Sequence, residues 1–237
     1  MKRNVNGVIP FGWRRGNKFD IKTFMGLSIE DIKAFAMKCL SGSHGSHDWE
    51  HTQRVYNLCM HIGQVEGADM EVLKIAAYLH DVGRPYQDES KGAICHGEKG
   101  AEIADALLER YPISDEKRAN IIHCITSHRF RGNCRPETLE AKVLFDADKL
   151  DSIGAIGIGR TFLFAGEVGA KLHNPAIDPE DTEPYTEADT GYREFKLKLS
   201  KIRDRMLTGE GRRMARERHV FMERFFERFL QEHEGYM

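Results

Sequence analysis

The sequence predicts an all-α fold. Three observations carry that expectation: apolar residues recur at three- and four-residue intervals, Ser, Asp and Gly stand where helices need starts and stops, and alternating β-branched runs are nearly absent. Residues 1–27 carry Lys2, Arg3, Arg14, Arg15, Lys18 and Lys22 against the single acid Asp20, with no clear period, and read as a loosely structured basic arm. Ser28 and Asp31 then form a capping-box pattern, so a helix is expected over 29–40. Further helices are expected over 48–66, 70–81, 96–110, 115–128, 137–164, 191–208 and 210–232. Asp48, Asp69 and Ser114 are the caps, and Gly42, Gly67 and Gly83 the stops. Between them lies a long acidic loop over 166–190. It contains Pro175, Pro179 and Pro184 and six acids from Asp178 to Asp189, with no compensating Lys or Arg, and suits a lid or a solvated insertion. Phe221, Phe225, Phe226 and Phe229 give the last helix a broad apolar face for core packing or a homodimer contact. From residue 28 to residue 237 nothing in the pattern requires a second domain.

Composition narrows the function. With 35 Lys and Arg against 37 Asp and Glu, the net charge of −2 provides no general field toward nucleic acid, so stable nucleic-acid binding is not expected. A content of 41% hydrophobic and 30% charged residues belongs to a globular protein rather than a disordered one. No apolar run approaches the roughly 18 residues of a membrane span. Cys39, Cys59, Cys95, Cys124 and Cys134 are odd in number and never paired as C-x-x-C, which suits reduced thiols in a cytoplasm. Histidine is the unusual entry in the composition, since eight of eleven lie between positions 44 and 128.

Those histidines fall on the apolar stripes. His51, Val55, Leu58, Ile62 and Val65 share one face, and Leu73, Ala76, Ala77 and His80 form another, with Asp81 next in the chain. His96, Gly100, Ile103 and Leu107 line up likewise, as do Ile121, Ile125 and His128. Ala141, Leu144, Phe145 and Asp148 put a carboxylate on an inner face. An unpaired carboxylate in an apolar interior costs several kcal/mol or more, and no Lys or Arg is evident on these faces. A divalent cation satisfies the carboxylates and imidazoles together. The set His51, His80, Asp81 and Asp148 suits six-coordinate Mn²⁺, Fe²⁺, Co²⁺ or Ni²⁺, tolerates Zn²⁺ or Mg²⁺, and leaves positions open for water and a substrate oxygen.

The runs SHDWEHTQRV around His51, AAYLHDVGR around His80-Asp81, and LFDADKLDSIGAIGIGR around Asp148 resemble the HD superfamily of metal-dependent phosphohydrolases. The similarity is to its small stand-alone members and runs from about residue 28 to the C-terminus. It implies an HD-domain helical bundle, a divalent metal at His51, His80, Asp81 and Asp148, and hydrolysis of phosphate esters or anhydrides, most often of nucleotides. Some HD subgroups hold a second metal with later histidines, for which His96, His123 and His128 are available. His123 and His128 are five residues apart, about 140° around a helix, so His128 is favoured because it shares the stripe of Ile121 and Ile125. Gly83-Arg84-Pro85-Tyr86 lacks the Gly-Tyr-Pro signature of cyclic-dinucleotide-degrading relatives, which disfavours that substrate.

In the chemistry this implies, Asp81 and the metal activate water and His128 or His96 transfers a proton. Arg54, Arg84 and Lys149 are candidate phosphate grips. His47 and Asp48 are candidates for orienting His51 from behind, although Asp48 also reads as a helix cap. The substrate to try first is a nucleoside triphosphate, with pyrophosphate as product.

Four rivals are weighed against it by their residues. His47-Asp48-Trp49-Glu50-His51 imitates the zinc-protease H-E-x-x-H, but with Asp at the base position and with His47 placed before the helix. A di-iron oxygenase of related fold would need further His or Asp ligands, and a nucleotide sensor would keep the site without turnover. His96-Gly97-Glu98 lacks the P-C-x-x-C that a zinc deaminase requires.

Overall fold

A computed structural model describes residues 27–41, 48–129 and 134–236, and among these every regular element is helical. The N-terminal arm up to residue 26, and His47 with it, lie outside the described residues. In chain order the helices are α1 (Ile29–Leu40), α2 (Trp49–Glu66), α3 (Met70–Leu79), α4 (Arg84–Glu89), α5 (His96–Leu108), α6 (Asp115–Ser127), α7 (Leu139–Leu150), α8 (Gly154–Glu167), α9 (Gly191–Leu197) and α10 (Gly209–His233). Short 3-10 turns occupy Pro179–Asp181 and Leu199–Arg205.

The predicted caps form. Ser28 and Asp31 close a reciprocal capping box on α1, Asp48 accepts from the His51 amide at 2.9 Å, Asp69 accepts from Glu71 and Val72, and Ser114 accepts from Lys117. Gly67 ends α2 at φ 77°, a left-handed conformation that glycine adopts without a Cβ penalty.

The centre of the core is α3, apolar almost all round: Val72, Leu73, Ile75, Ala76, Ala77, Tyr78 and Leu79 are all buried. It packs against α1, α2, α6 and α7, and α5 packs on α6. The aromatic face of α10 is divided. Phe226 is buried against Phe195 and Phe162, Phe225 and Phe229 pack around Phe162, and Phe221 faces outward. Val65, expected on the inner stripe of α2, is exposed, and the buried face is completed by Cys59 and Gly63 instead.

Four expectations change. The span 137–164 is two helices, because Gly154 takes φ 79° and a Cβ on Gly157 would stand 2.3 Å from the Ser152 carbonyl oxygen, so the chain turns sharply between α7 and α8. The span 70–81 ends at Leu79, and the HD pair occupies a turn rather than the helix. The span 191–208 divides into α9 and a 3-10 stretch. The short helix α4 has no counterpart in the sequence reading, since six residues are too few to show a period. The acidic loop begins after α8 and is clasped by the buried Arg193, which donates to Asp189 at 2.7 Å, to the Thr182 carbonyl at 2.8 Å and to the Thr182 hydroxyl.

Candidate metal centre

Four helices and one turn converge on a buried group of side chains. His51 comes from the first turn of α2, His80 and Asp81 from the turn after α3, His96 from the first residue of α5, His128 from the end of α6, and Asp148 from α7. The HD turn reaches α5 because Gly83 has no side chain: a Cβ there would lie 2.2 Å from the His96 carbonyl oxygen and 2.6 Å from the Gly100 nitrogen.

Each of the four rings is anchored through Nδ1. His51 donates to Asp151 Oδ2 at 2.8 Å, His80 to the Ala77 carbonyl at 2.8 Å, His96 to Gln87 Oε1 at 2.8 Å, and His128 to the Ile125 carbonyl at 2.6 Å. An acceptor facing Nδ1 keeps the hydrogen there and turns an Nε2 lone pair into the site. The lone pairs then confront one another: His51 and His80 Nε2 are 3.4 Å apart, and His96 and His128 Nε2 are 3.1 Å apart. Facing lone pairs at such distances repel unless positive charge lies between them. Asp81 joins the two pairs, with Oδ2 3.8 Å from both His51 and His80 Nε2, and Oδ1 3.3 Å from His96 and 3.7 Å from His128. His51, His80 and Asp81 thus form one group able to hold a metal ion, and Asp81, His96 and His128 a second. Asp148 closes the first group, with Oδ1 3.4 Å from His51 Nε2. A donor set of imidazoles and carboxylates without thiolate fits a divalent ion of the Mn²⁺ to Zn²⁺ series.

The electrostatics follow from burial and these partners. Burial pushes His80 down to about 4 and His96 down to about 2, so both are neutral at pH 7. Burial also opposes charge on His51, but its bonds to Asp148 and Asp151 outweigh that and raise it above the ordinary imidazole value. For Asp148 burial is likewise overcome, here by the Lys149 ammonium and then His51, which hold the carboxyl well below its usual range.

The expectation that no cation lies on these faces is corrected by the side-chain reach of the neighbours. Lys149 Nζ curls back to Asp148 Oδ2 at 2.5 Å and approaches the His128 carbonyl at 3.4 Å. Arg84 Nη2 lies 3.4 Å from Asp81 Oδ1. Arg54 points to the site but grips Asp151, through Nε at 2.6 Å and Nη2 at 3.1 Å. Asp48 accepts from the His51 backbone amide as its helix cap. The residue behind the His51 ring is Asp151, which also receives Arg160 at 2.5 Å from α8. Sequence reasoning missed Asp151, Arg160 and Gln87. Asp151 had a signal, since it follows Asp148 by three residues on the same helical face. His123 is apart from the site, its Nε2 accepting from the Glu137 amide at 3.0 Å.

A helical fold carrying an adjacent His-Asp pair, with a preceding His and a later Asp, defines the HD domain, and the HD-domain family matches residues 48–153. The chain belongs to the HD superfamily and is an HD-superfamily hydrolase. It is 33% identical to Bacillus subtilis YpgQ over 201 residues, 83% of this chain and 89% of that protein. The crystal structure of an HD-superfamily hydrolase from Bacillus thuringiensis superposes with a TM-score of 0.69 at 30% identity, covering 87% of this chain and 96% of that one. The crystal structure of YpgQ in complex with ADP superposes with a TM-score of 0.66 at 31% identity, covering 86% and 93%. Ribonuclease Y of Chloroflexus aurantiacus is 30% identical over 125 residues, which is 53% of this chain but only 22% of that protein. Among the described residues no helix is long and apolar enough to cross a membrane.

Proposed function

We propose that the protein is a divalent-metal-dependent phosphohydrolase of nucleotides, with residues 28–237 acting as one domain. The observation that carries this reading is the convergence of four imidazole Nε2 atoms with the Asp81 and Asp148 carboxylates in one largely buried cluster, a donor set that calls for a bound cation. His51, His80, Asp81 and Asp148 would hold it. When bound, such an ion polarises a phosphoryl oxygen and lowers the pKa of a coordinated water.

The chain supplies the remainder. Asp151 and the Ala77 carbonyl keep the His51 and His80 rings turned inward. Arg84 and Lys149, beside Asp81 and Asp148, supply positive charge for the non-bridging phosphoryl oxygens, and Arg54 adds its charge from Asp151. His96 and His128, whose Nε2 atoms lie 3.1 Å apart beside Asp81, are the imidazoles placed to move a proton between the attacking water and the leaving oxygen. The nucleotide assignment is supported by the ADP in the YpgQ crystal structure, and a nucleoside triphosphate releasing pyrophosphate is the first substrate to test.

A panel of nucleoside mono-, di- and triphosphates is to be screened with Mn²⁺, Co²⁺, Fe²⁺, Ni²⁺, Zn²⁺ and Mg²⁺, following phosphate and pyrophosphate separately. Turnover that chelation abolishes and Asp81→Ala lowers by at least ~100-fold is expected. Metal retention with no turnover of any nucleotide would favour the sensor reading, and oxygen uptake with Fe²⁺ the oxygenase.

A further inference from the structure

Three of the four inward rings are held by acceptors that cannot reverse: the Ala77 and Ile125 carbonyls and the Asp151 carboxylate. The fourth, His96, is held by a carboxamide, which has an oxygen and an NH₂ on the same carbon. An oxygen toward His96 Nδ1 leaves the hydrogen on Nδ1 and a lone pair on Nε2, whereas an NH₂ there would donate to Nδ1 and move the hydrogen to Nε2.

Two observations fix the oxygen inward. Helix α5 begins at His96, and its cap residue Cys95 makes no side-chain capping bond. Gln87 Oε1 fills that role: it lies 3.5 Å from the His96 amide nitrogen as well as 2.8 Å from Nδ1, so a reversed carboxamide would set NH₂ against an N–H. Gln87 is carried on α4, directly after the HD turn, and α4 packs on α5.

We propose that Gln87 is the positioning residue of the second half of the site, selecting the His96 tautomer that leaves Nε2 open toward Asp81 and His128. The inference rests on the site reading given above. Without the Gln87 oxygen, the neutral ring can carry its proton on Nε2 instead of Nδ1. At 3.1 Å, an Nε2–H of His96 would donate to the His128 Nε2 lone pair, a comfortable hydrogen bond. That bond closes the pair, and neither a cation nor a proton from water finds an open lone pair on His96.

The test begins on wild-type, metal-free protein at mildly alkaline pH, by ¹⁵N–¹H spectroscopy of the imidazoles, with His96 assigned from the signal that His96→Ala removes. A hydrogen on Nδ1 is expected, and a hydrogen on Nε2 in the wild type overturns the proposal without any Gln87 variant having to fold. Gln87→Leu is expected to move the hydrogen to Nε2, and Gln87→Glu, which retains an acceptor, to restore it to Nδ1. With Mn²⁺ and the nucleotide identified by the screen, Gln87→Leu should lower kcat by roughly 10–100-fold and Gln87→Glu should recover most of it. In a His96→Ala background Gln87→Leu should lower kcat no further, because the glutamine's effect on turnover runs through that ring, while its contact with the residue-96 backbone amide bears on stability. An additive loss in that background, or a Leu variant with the wild-type tautomer, overturns the assignment. If no nucleotide is hydrolysed, the phosphohydrolase reading fails while the tautomer spectra still decide the role of Gln87.

Discussion

Asp151 should be the most costly polar residue of the centre to alter, although it is not itself among the candidate metal ligands. One carboxylate, 2% exposed, receives the His51 ring at 2.8 Å, Nε and Nη2 of Arg54 at 2.6 and 3.1 Å, and Arg160 at 2.5 Å. Asp151→Asn conserves shape but leaves two guanidinium groups without their counter-charge and turns an NH₂ toward at least one donor. Removing one partner of a buried ion pair costs about 3–5 kcal/mol. Arg54 is 29% exposed and Arg160 15% exposed, so water recovers part of that. The expected loss is then about 2–3 kcal/mol, or roughly 4–12 °C in Tm for a chain of this size. Urea unfolding of the metal-free protein measures it. The carboxyl of Asp151 is held below its unfolded value by His51 and Arg54, in spite of burial. Its contribution is therefore complete above the unfolded value of about 4 and fades as pH falls through the lower folded one, so the gap between wild type and variant should close in acid. Because the variant also frees the His51 ring, Mn²⁺ affinity should fall by roughly 10–100-fold. A stability loss under about 1 kcal/mol, or one that persists unchanged at low pH, would refute the charge-balance argument.

Two further outcomes follow from the same geometry. Gly83→Ala places a Cβ 2.2 Å from the His96 carbonyl oxygen, a backbone atom that no rotamer change can move aside, and should cost about 2–3 kcal/mol by thermal unfolding; Gly100→Ala, whose nearest neighbours are at 3.4–3.5 Å, should cost less than about 1 kcal/mol. Mn²⁺ affinity should decline about tenfold between pH 6 and pH 5, because the proton on His51, raised above the usual imidazole value, competes with the ion, whereas His80 and His96 are already neutral there; a titration followed by electron paramagnetic resonance that shows no decline would contradict this.

What could be read from the sequence was whatever depends on period or adjacency. The stripe Ile121, Ile125 and His128 sets His128 apart from His123, and 140° of rotation sends His123 to the Glu137 loop. The adjacency of His80 and Asp81, and the inward face of Asp148, likewise needed no tertiary knowledge. Arg54 shows where this ends. Its position three residues after His51 brings it to the right end of α2, but whether it reaches for a phosphate or a carboxylate depends on Asp151, 97 residues away. The break between α7 and α8 was hidden for a related reason: a sequence rich in helix formers up to Leu150 and apolar after Gly154 shows continuous periodicity, while the turn between them exists to return Arg160 to Asp151.

The same dependence on distant partners explains why Gln87 left no trace. A ligand must be His, Asp, Glu or Cys, and that short alphabet makes clusters visible; a group that merely presents an oxygen to Nδ1 can be any carbonyl in the protein. The centre uses three kinds of such oxygen for four rings: two backbone carbonyls, a carboxylate and a carboxamide. Backbone carbonyls hold His80 and His128 in turns that the fold already requires. Side chains hold His51 and His96, the rings at the N-terminal ends of α2 and α5. Anchoring therefore follows from helix polarity: a ring at a C-terminal end finds a main-chain acceptor beneath it, and a ring at an N-terminal end must borrow one from another element. That rule picks out Asp151 and Gln87 as the two positions where a single substitution can disorient an inward-facing ring without replacing it.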